Sequence, residues 1–338
     1  GALTVVSLII AFSVWRYSQM STVWTAPFYS AANNLTMGGD FLINQREVQA
    51  FNELDNKEAE LHYKFVAGSP LNRYNHNPIG FVYFTYIASL IFPFIGNQLA
   101  VILLHCIFFL YVCFIFLNGF LSNFSKIAFW IVFCINPLVL RFVVMSYYYF
   151  WQLIPAAIIL YLILQFRVKW IYPLLLILPF VLLARPTTIT FLPVLGYLLF
   201  KNPQISKRAL LTYSLYFLSI YSYCFKASEK NIWHTIYVGI GAYENPYGIS
   251  LNDNEGYALF EKKYNKKFQF EPTGNYYEKN TIRAYQDLTR DTVIKMINQT
   301  PSLFIKNAIL NTFQSFGIGY INRVSSSVNY AVAFLGFL

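Results

Sequence analysis

Acidic residues are missing from most of this chain. All fifteen Asp and Glu residues fall into two windows, Asp40 to Glu60 and Glu229 to Asp291, and the stretch from Asn77 to Phe225 has none. The same stretch keeps eight Lys and Arg residues. A charged side chain at the centre of a bilayer costs about 3 kcal/mol on insertion scales. This sorting therefore predicts a polytopic membrane protein with two water-facing loops, and any acid chemistry must come from those loops.

Charge of either sign is scarce overall. Charged residues make up 12% of the chain, against about 25% in soluble domains, whereas 57% of the residues are hydrophobic and 20% are aromatic. This composition excludes an ordinary cytosolic globular protein. The formal net charge of +10 includes no dense basic run, which argues against nucleic acid as a partner and favours anionic membrane lipid.

Cysteine and histidine are too few and too dispersed to build a metal centre. The four cysteines lie inside apolar runs, where cysteine is typical of packing, so a disulfide framework is not expected. The four histidines form no His/Cys pair at zinc-ligand spacing. No cofactor is predicted, although a dependence on a divalent metal stays open. No P-loop, dinucleotide fingerprint or nucleophile elbow occurs, which argues against the enzyme classes that those motifs mark.

Long apolar runs are what the chain has instead. A helix needs about 20 residues to cross the hydrocarbon of a bilayer, and several runs approach that length. One run is longer and has four prolines and Arg185 near its middle, so it predicts either one broken span or two short ones. The first and last runs predict truncated spans. The runs are Ala2 to Trp15, Pro78 to Phe94, Leu99 to Leu117, Ile127 to Val144, Phe150 to Phe166, Trp170 to Phe200, Ala209 to Phe225, and one starting near Val328.

Loop charge sets the predicted orientation. If both acidic windows lie on one side of the membrane, an even number of crossings separates them, and counting Trp170 to Phe200 once gives six. The basic loop Lys201 to Arg208 then marks the cytoplasm and places both windows outside. The basic loop Arg167 to Lys169 points the other way. Splitting the long run would satisfy it, provided that another run, such as Pro78 to Phe94, is re-entrant.

The predicted fold is therefore all-α, a transmembrane helix bundle with two extracytoplasmic loops, and it has three parts. Residues 1–225 form the bundle and include the first external loop, 16–77. Residues 226–306 form the second loop, a small and mostly helical subdomain in which residues 276–298 have apolar side chains at helical spacing. Residues 307–338 hold an interfacial helix and the start of a further truncated span.

Two residues of the first loop are candidates for the chemistry. Asp40 follows the flexible Gly38–Gly39 pair, lies nearer the first span than the acids from Glu53 to Glu60, and could act as general base for an acceptor hydroxyl or amine. His76 lies beside Pro78 at the start of the next span, where it can hydrogen-bond a phosphate or a sugar hydroxyl. The alternatives are a solvated carboxylate for Asp40 and a helix cap for His76.

Among the basic residues, Arg185 is the strongest candidate for binding an anion. Its guanidinium is always charged, yet it lies inside an apolar run and therefore needs an anion. A phosphate matches the two-pronged geometry of the guanidinium. The alternatives are an arginine in an ordinary loop between two short helices, or one whose charged head reaches the membrane interface.

Aromatic residues, glycines and an Asn-Pro pair alternate in the second acidic window. Gly and Asn-Pro predict tight turns, and the Trp and Tyr rings between them offer flat faces on which a sugar ring can stack. Asp-Asn clusters can bind calcium, but the EF-hand pattern is absent from the sequence, so no metal site is predicted. The predicted substrate-binding residues are Trp233, His234, Tyr237, Asn245, Tyr247 and Asp253.

The layout resembles the GT-C glycosyltransferases, and within them the dolichyl-phosphate-mannose protein mannosyltransferase and aminoarabinose transferase branch. The similarity lies in a polar first loop, an Asn-Pro helix start at residues 77–78, the Arg-Pro break at residues 184–187 and a large loop after the seventh span. Residues 233–253 are similar to large-loop segments of uncharacterised bacterial members. The resemblance implies a multi-pass enzyme of a bacterial inner or plasma membrane that uses a polyprenyl-phosphate sugar as donor. It also implies a first-loop acid as catalytic base and basic residues that grip the lipid phosphate.

One position departs from that pattern. The family usually has its acid shortly after the first span, where this chain has residues Thr25 to Pro27, so Asp40 or a later acid would have to act. The resulting hypothesis is inverting transfer of a sugar to a glycan, lipid or protein acceptor on the outer face. Asp40 would be the base, Arg185 and His76 would hold the departing phosphate, and residues 233–253 would cover the sugar. The alternatives are a flippase or transporter of lipid-linked glycans, and a non-catalytic relative that binds glycolipid.

Overall fold

The structure is a computed structural model that describes residues 25–37, 41–68, 71–73, 79–224, 232–268 and 279–314. The chain divides into two compact units, residues 1–228 and 229–338. The described residues are mostly helical, as predicted, and they include one two-stranded antiparallel sheet that the sequence did not predict. Residues 307–314, expected to begin a third part, continue a helix of the second unit.

The first unit begins with short elements that contain the first acidic window. They are α1 (Thr25–Asn34), β1 (Leu42–Asn44), α2 (Gln45–Asn52), α3 (Lys57–His62) and β2 (Leu71–Arg73), with a 3₁₀ turn at Leu35–Met37. The strands pair antiparallel with Leu42 opposite Arg73. Ser30 Oγ accepts the backbone N–H of Asn44 at 2.8 Å, which attaches β1 to α1. Helix α1 is almost wholly buried, and β1 and α2 pack against it.

Short helices replace most of the predicted spans. The remaining helices of the first unit are α4 (Ile79–Ile91), α5 (Asn97–Gly119), α6 (Asn123–Phe129), α7 (Pro137–Val144), α8 (Leu153–Ile163), α9 (Tyr172–Ala184), α10 (Leu192–Lys201) and α11 (Lys207–Cys224). Among the described helices, α5 is the one long and apolar enough to cross a membrane by itself. Five shorter apolar helical segments accompany it. The multi-pass arrangement therefore stays a prediction.

Local sequence explains two of the helix breaks. A π-helical turn, Trp130–Cys134, ends α6, and α7 begins at Pro137, whose ring suits the first turn of a helix. Arg185 has extended backbone angles (φ −140°, ψ 92°), since the residue before a proline is disfavoured in the helical region, and α9 ends there. A 3₁₀ turn, Pro186–Phe191, leads into α10. The structure thus divides the longest apolar run into two helices at Arg185.

The end of the first acidic window is fastened to the start of α5. The Asn97 N–H donates to the Tyr63 carbonyl at 3.1 Å, and the Asn97 side chain accepts the Phe65 N–H at 2.8 Å. Gly96 permits this approach, because a Cβ there would lie 2.6 Å from the carbonyl carbon of His62. The window therefore ends on the helix, with its backbone groups satisfied by it.

Helix α4 lies at the centre of the first unit, in contact with α1, α5 and α9. Gly80 permits the contact with α9, since a Cβ at this position would lie 2.7 Å from the carbonyl carbon of Leu183. On another side of the same helix, the Phe84 ring stacks on Trp151 at 3.5 Å between centroids. The close approach and the stacked rings make α4 the helix around which its neighbours are arranged.

The second unit has four helices within its described residues. They are α12 (Ile232–Gly239), α13 (Asp253–Tyr264), α14 (Lys279–Gln299) and α15 (Pro301–Gln314), with a 3₁₀ turn at Ile240–Ala242. Asn252 caps α13 by accepting the Asn254 N–H, and Asn265 ends it in the left-handed region (φ 51°), which asparagine tolerates. A buried apolar cluster joins α12 to α14 and α15. Its members are Tyr237, Val238, Ile240, Ile249, Val293 and Leu303.

Candidate functional site

Arg185 lies against three consecutive tyrosines, Tyr147 to Tyr149, which we call the tyrosine cradle. Arg185 Nη1 donates to the Tyr148 hydroxyl at 3.3 Å. The guanidinium carbon is 5.2 Å from the centre of the Tyr148 ring and 5.3 Å from that of Tyr149. Both distances are within the range of cation–π attraction. Aromatic faces therefore hold the cation in place without neutralising its charge.

The polar contacts of Arg185 are incomplete among the described residues. Its Nε is buried and has no hydrogen-bond partner there, and no carboxylate pairs with the guanidinium in that part of the chain. The backbone is firmly held, because the Arg185 carbonyl accepts the Thr188 N–H at 2.9 Å and the Thr188 hydroxyl at 2.6 Å. A buried donor without an acceptor costs about 1–3 kcal/mol, and more for a charged group. The site is thus suited to an anion.

The tyrosine cradle is joined to the first acidic window through α1. Tyr29 donates its hydroxyl to the Ser146 carbonyl at 3.3 Å, immediately before the cradle. The neighbouring Phe28 ring lies 5.9 Å from Tyr147 and 6.3 Å from Tyr148. Tyr29 also packs on Phe51 of the window at 5.9 Å and on Phe65, shortly after the window, at 5.6 Å. Arg185 therefore lies at the end of the first unit that carries the acidic window.

The position at which the resembled family usually has its acid is part of this contact region. Thr25, Ala26 and Pro27 are buried in the first turn of α1, directly before Phe28. None of the three can exchange a proton as a carboxylate does. The sequence departure noted above therefore falls beside the tyrosine cradle, and a base for the predicted reaction has to come from elsewhere in the window.

Glu47 is the described carboxylate with the features of a base, and the sequence reading did not select it. Its Oε1 accepts the Val66 N–H at 2.6 Å, while its Oε2 is buried without a hydrogen-bond partner among the described residues. Burial raises the pKa of this carboxyl above its ordinary value, and the Val66 hydrogen bond opposes that rise. A raised pKa makes the carboxylate a stronger base.

The position of Glu47 follows from a modified helix cap. Asn44 caps α2 and Glu47 stands three residues later, the spacing of a capping box, in which the glutamate would bind the N–H of the cap residue. Ser30 already takes that N–H, so Glu47 is free to turn to Val66. The Asn-x-x-Glu spacing could have marked Glu47 as a first-turn residue, but its freedom depends on a serine fourteen residues away.

Asp40 and His76, the two candidates of the first loop, lie outside the described residues. The acids from Glu53 to Glu58 are exposed. Glu60 is half-buried.

The second unit brings two of its predicted residues together at His234. Nδ1 of His234 lies 2.5 Å from the Tyr285 hydroxyl, and Nε2 lies 3.2 Å from Asp253 Oδ1. Burial lowers the pKa of His234, and the Asp253 carboxylate opposes this shift. A neutral ring carries one proton, and a carboxylate can only accept, so Nε2–H donates to Asp253 and Nδ1 accepts the Tyr285 O–H. Sequence spacing gave no signal for Tyr285.

Close packing surrounds this His234 centre. A Cβ on Gly256 would lie 2.7 Å from His234 Nδ1 and would also meet the Tyr285 hydroxyl. The His234 ring stacks on Tyr257 at 5.5 Å and 4°, and Tyr257 stacks on Phe268 at 5.2 Å and 8°. Burial raises the pKa of Tyr285. The histidine side chain is only 17% exposed, so the centre joins α12, α13 and α14 more than it offers a surface to a ligand.

Asn245 is occupied by its own loop. The two hydrogens of its Nδ2 are shared among the carbonyls of Ile240, Tyr243 and Ile249, and its Oδ1 accepts the N–H groups of Tyr247 and Ile249. These contacts of one amide shape the turn that the Asn-Pro pair predicted. This use of both amide atoms explains the choice of asparagine by structure alone.

Three aromatic residues that were predicted to stack on the sugar pack in or against the core of the second unit. Tyr237 is 7% exposed and belongs to the buried apolar cluster, against which Trp233 and Tyr247 pack while partly buried. The Tyr247 hydroxyl lies 2.8 Å from Thr300 Oγ1, next to the start of α15. Asp253 differs from them, since its side chain is 71% exposed.

The described residues contain no group of three or more His, Cys, Asp or Glu side chains placed to hold a metal ion. Comparisons of the chain with protein-family models, with characterised proteins and with solved structures found no match.

Proposed function

We propose that this protein is a multi-pass membrane glycosyltransferase that moves a sugar from a polyprenyl-phosphate donor to an acceptor on the extracytoplasmic face. The observation that carries the proposal is the position of Arg185. A guanidinium with a buried, unpartnered Nε lies in an aromatic cradle at the end of an apolar helical unit that carries the acidic window. A phosphate on a lipid is the anion that such a place would meet in a bilayer.

The surface of the first unit supports a membrane location. Large apolar side chains stand almost fully exposed at its helix ends and turns, with Phe94 at 94%, Leu121 at 97% and Phe124 at 81%. Soluble monomers rarely expose contiguous apolar patches of more than a few hundred Å². Helix α11 adds a row of exposed residues at helical spacing, Leu211, Leu215 and Leu218. Lipid tails would cover these side chains without cost.

A groove between α9, α10 and α11 supports a lipid donor. Its volume is about 280 Å³ and its walls are almost entirely apolar. Gly196 on α10 is part of the lining, and nothing lies within 4 Å of where its Cβ would be. An isoprenoid chain fits such walls. The lining residues are Leu178, Leu192, Leu195, Gly196, Leu199, Leu210, Tyr213, Ser214, Phe217 and Leu218.

The proposed reaction is a single displacement. A carboxylate of the first window takes the proton of the acceptor hydroxyl, and the acceptor oxygen forms the new bond to the anomeric carbon as the bond to the phosphate oxygen breaks. The departing phosphate keeps the electron pair, and Arg185 stabilises its charge. Asp40 is the base predicted from the sequence, and Glu47 is the second candidate. His76 as a second phosphate ligand and residues 233–253 as a cover for the sugar stay predictions.

The role of Arg185 is tested with the purified chain in lipid vesicles supplied with a panel of polyprenyl-phosphate hexoses and pentoses. We expect Arg185→Ala to lower transfer by about 100-fold or more, as removal of a charge-stabilising donor does. Arg141→Ala is the matched control, because Arg141 is an exposed arginine in the same unit and its loss should leave transfer unchanged. Equal transfer by both variants, or no transfer with any donor, would refute the proposal.

The base is tested by Asp40→Asn and Glu47→Gln, each measured for transfer and for donor binding. The true base should lose transfer by about 100-fold or more while donor binding holds, since a general base contributes about 10²–10⁴-fold. Full transfer by both single variants and by the double variant would exclude a base from either position.

A glycolipid-binding relative without catalysis is the second candidate. The buried, acid-free turn Thr25 to Pro27 beside the tyrosine cradle favours it. This candidate predicts donor binding that depends on Arg185, with no transfer to any acceptor and no effect of Asp40→Asn or Glu47→Gln. The same vesicle experiments therefore separate the two functions.

A further inference from the structure

Two cysteine thiols of the first unit touch each other. Sγ of Cys134 lies 3.4 Å from Sγ of Cys113. Cys113 is on α5 and Cys134 is the last residue of the π-helical turn. Both are buried, with 7% and 1% of their surface exposed, and neither is in a disulfide. Sequence spacing alone favoured four isolated packing cysteines, so this contact is a new observation.

Aromatic packing explains why the two thiols meet. The Phe129 ring stacks on Phe116 of α5 at 5.0 Å, and the Phe133 ring stacks on Phe109 at 5.8 Å. These two stacks hold the end of α6 and the π-helical turn along one side of α5. Cys113 lies between Phe109 and Phe116 along the helix, so the residue after Phe133 is brought opposite to it.

The π-helical turn itself is uncommon. The Ile135 N–H donates to the Trp130 carbonyl at 3.1 Å, five residues back, in place of the usual four. Single π turns carry a cost in regular packing and recur at functional positions. Here the extra residue in the turn places Cys134 on the inner side, whereas Ile131 and Val132 are 53% and 68% exposed.

We propose that Cys113 and Cys134 are a reversible disulfide site that links α5 to the π-helical turn. The sulfur atoms are 3.4 Å apart and a disulfide requires about 2.05 Å, so the turn closes on the helix by a small shift of two side chains. The pair is independent of the glycosyltransferase function and of Arg185. No other residue of the chain has to take part.

The chemistry balances with a small-molecule disulfide as the oxidant. One cysteine thiolate attacks the reagent and releases its first thiolate, which leaves a mixed disulfide on the protein. The second cysteine thiolate attacks that mixed disulfide, forms the Cys113–Cys134 bond and releases the second thiolate. Two electrons pass to the reagent, and the two protons lost by the cysteines end on its two thiols.

Access for the reagent comes through the turn, because its outer residues Ile131 and Val132 are exposed. An apolar aromatic disulfide, 2,2′-dithiodipyridine, is therefore the suitable probe. A charged reagent should react more slowly at the same concentration, since it has to enter an apolar contact between two helical segments.

The experiment uses the purified full chain in vesicles. After brief treatment with 2,2′-dithiodipyridine, the remaining thiols are alkylated in denaturant and the digest is examined by mass spectrometry. We expect a linked peptide that contains Cys113 and Cys134, lighter by two hydrogen atoms than the sum of its parts, and its loss on reduction with dithiothreitol. Circular dichroism of the treated chain checks that it stays folded.

Two serine variants sharpen the result. Cys106→Ser should leave the linked peptide unchanged, because Cys106 is not the partner of either thiol. Cys134→Ser should abolish the linked peptide and leave a stable mixed disulfide at Cys113. If the folded wild-type chain gives only mixed disulfides, or if Cys113 links to Cys106 or Cys224 instead, the proposed site is wrong.

Discussion

The two candidate regions, one in each unit, satisfy their polar groups to different degrees. In the second unit, Asn245 uses both amide atoms in hydrogen bonds within its own loop, and His234 uses both ring nitrogens. In the first unit, Arg185 and Glu47 each keep a buried atom without a partner among the described residues. Both units contain aromatic and polar residues close together, so this pattern alone does not mark a binding site. An unsatisfied atom on a charged group is the stronger sign, because its burial costs more than that of the neutral atoms that also lack a partner among the described residues, such as Gln286 Nε2 and Asn307 Oδ1 of the second unit.

The largest effect on stability is expected at Asn245. Asn245→Ala removes all side-chain hydrogen bonds of one partly buried turn and should lower the free energy of unfolding of the second unit by about 3 kcal/mol, since an amide makes up to about four bonds, each contributes about 0.5–1.5 kcal/mol, and the bonds are not additive. Urea unfolding followed by circular dichroism measures the change. Asn254→Ala is the matched control, as Asn254 is exposed. If Asn245→Ala lowers the free energy of unfolding no more than the control variant does, the turn does not depend on the Asn245 amide.

Gly256 should come next. Gly256→Ala places a methyl group against His234 Nδ1 and the Tyr285 hydroxyl, and overpacking of this kind costs about 1–3 kcal/mol. Gly239→Ala is the control, because nothing lies within 4 Å of where its Cβ would be. Adding Tyr285→Phe should recover part of the loss, since it removes the hydroxyl oxygen, which is the nearest of the atoms that the methyl meets. A Gly256→Ala chain as stable as the control would contradict the close packing at His234.

The His234 centre predicts a pH dependence of smaller size. Burial holds the pKa of His234 below its ordinary value of 6.5, so the unfolded chain binds this proton more readily than the folded chain. The contribution of the neutral ring to stability is therefore complete above pH 6.5 and declines as the pH falls below that value. Unfolding free energies measured across this range should show the decline.

Two variants assign that pH dependence. His234→Gln should remove it, whereas His62→Gln should keep it, because His62 is an exposed histidine of the first unit. A decline that persists in His234→Gln would assign it to another group.

The smallest effect on stability, and the sharpest contrast with Asn245, is expected at Arg185. Arg185→Met removes a charge without a partner and replaces it with an apolar side chain of similar length, and such changes are often neutral or stabilising. The cation–π contacts that it also removes are worth about 0.5–2 kcal/mol. We therefore expect a melting temperature within a few degrees of the parent chain. A large fall would give Arg185 a structural role like that of Asn245.

Local signals in the sequence were enough to predict several structural features. Pro186 predicted a break in the long apolar run, and the structure ends α9 at Arg185, directly before it. The Asn245-Pro246 pair predicted the turn that Asn245 holds together. The mostly helical character was also predicted. Each of these depends on a proline, an asparagine or a spacing that acts on residues within one turn of itself.

Features that depend on distant residues were not predicted. Strands β1 and β2 have three residues each, too few for alternation to be recognised, and they pair across a gap of 26 residues. The role of Glu47 depends on Ser30, and the partner of His234 is Tyr285, 51 residues away. The length of the helices was overestimated for a similar reason, since apolar runs continue through turns that tertiary packing satisfies. Such pairings require coordinates.

The hydrogen bonds to Asn97 determine where the first acidic window lies relative to the bilayer. Helix α5 has 23 residues and is therefore about 34 Å long, close to the thickness of about 30 Å of bilayer hydrocarbon. If α5 crosses the bilayer, its first residue stands at the level of the lipid head groups. The segment that follows the window is tied to that residue by one backbone–backbone and one backbone–side-chain hydrogen bond, so the window then lies at the boundary between lipid and water. A soluble acceptor would have to come down to the membrane surface to reach it.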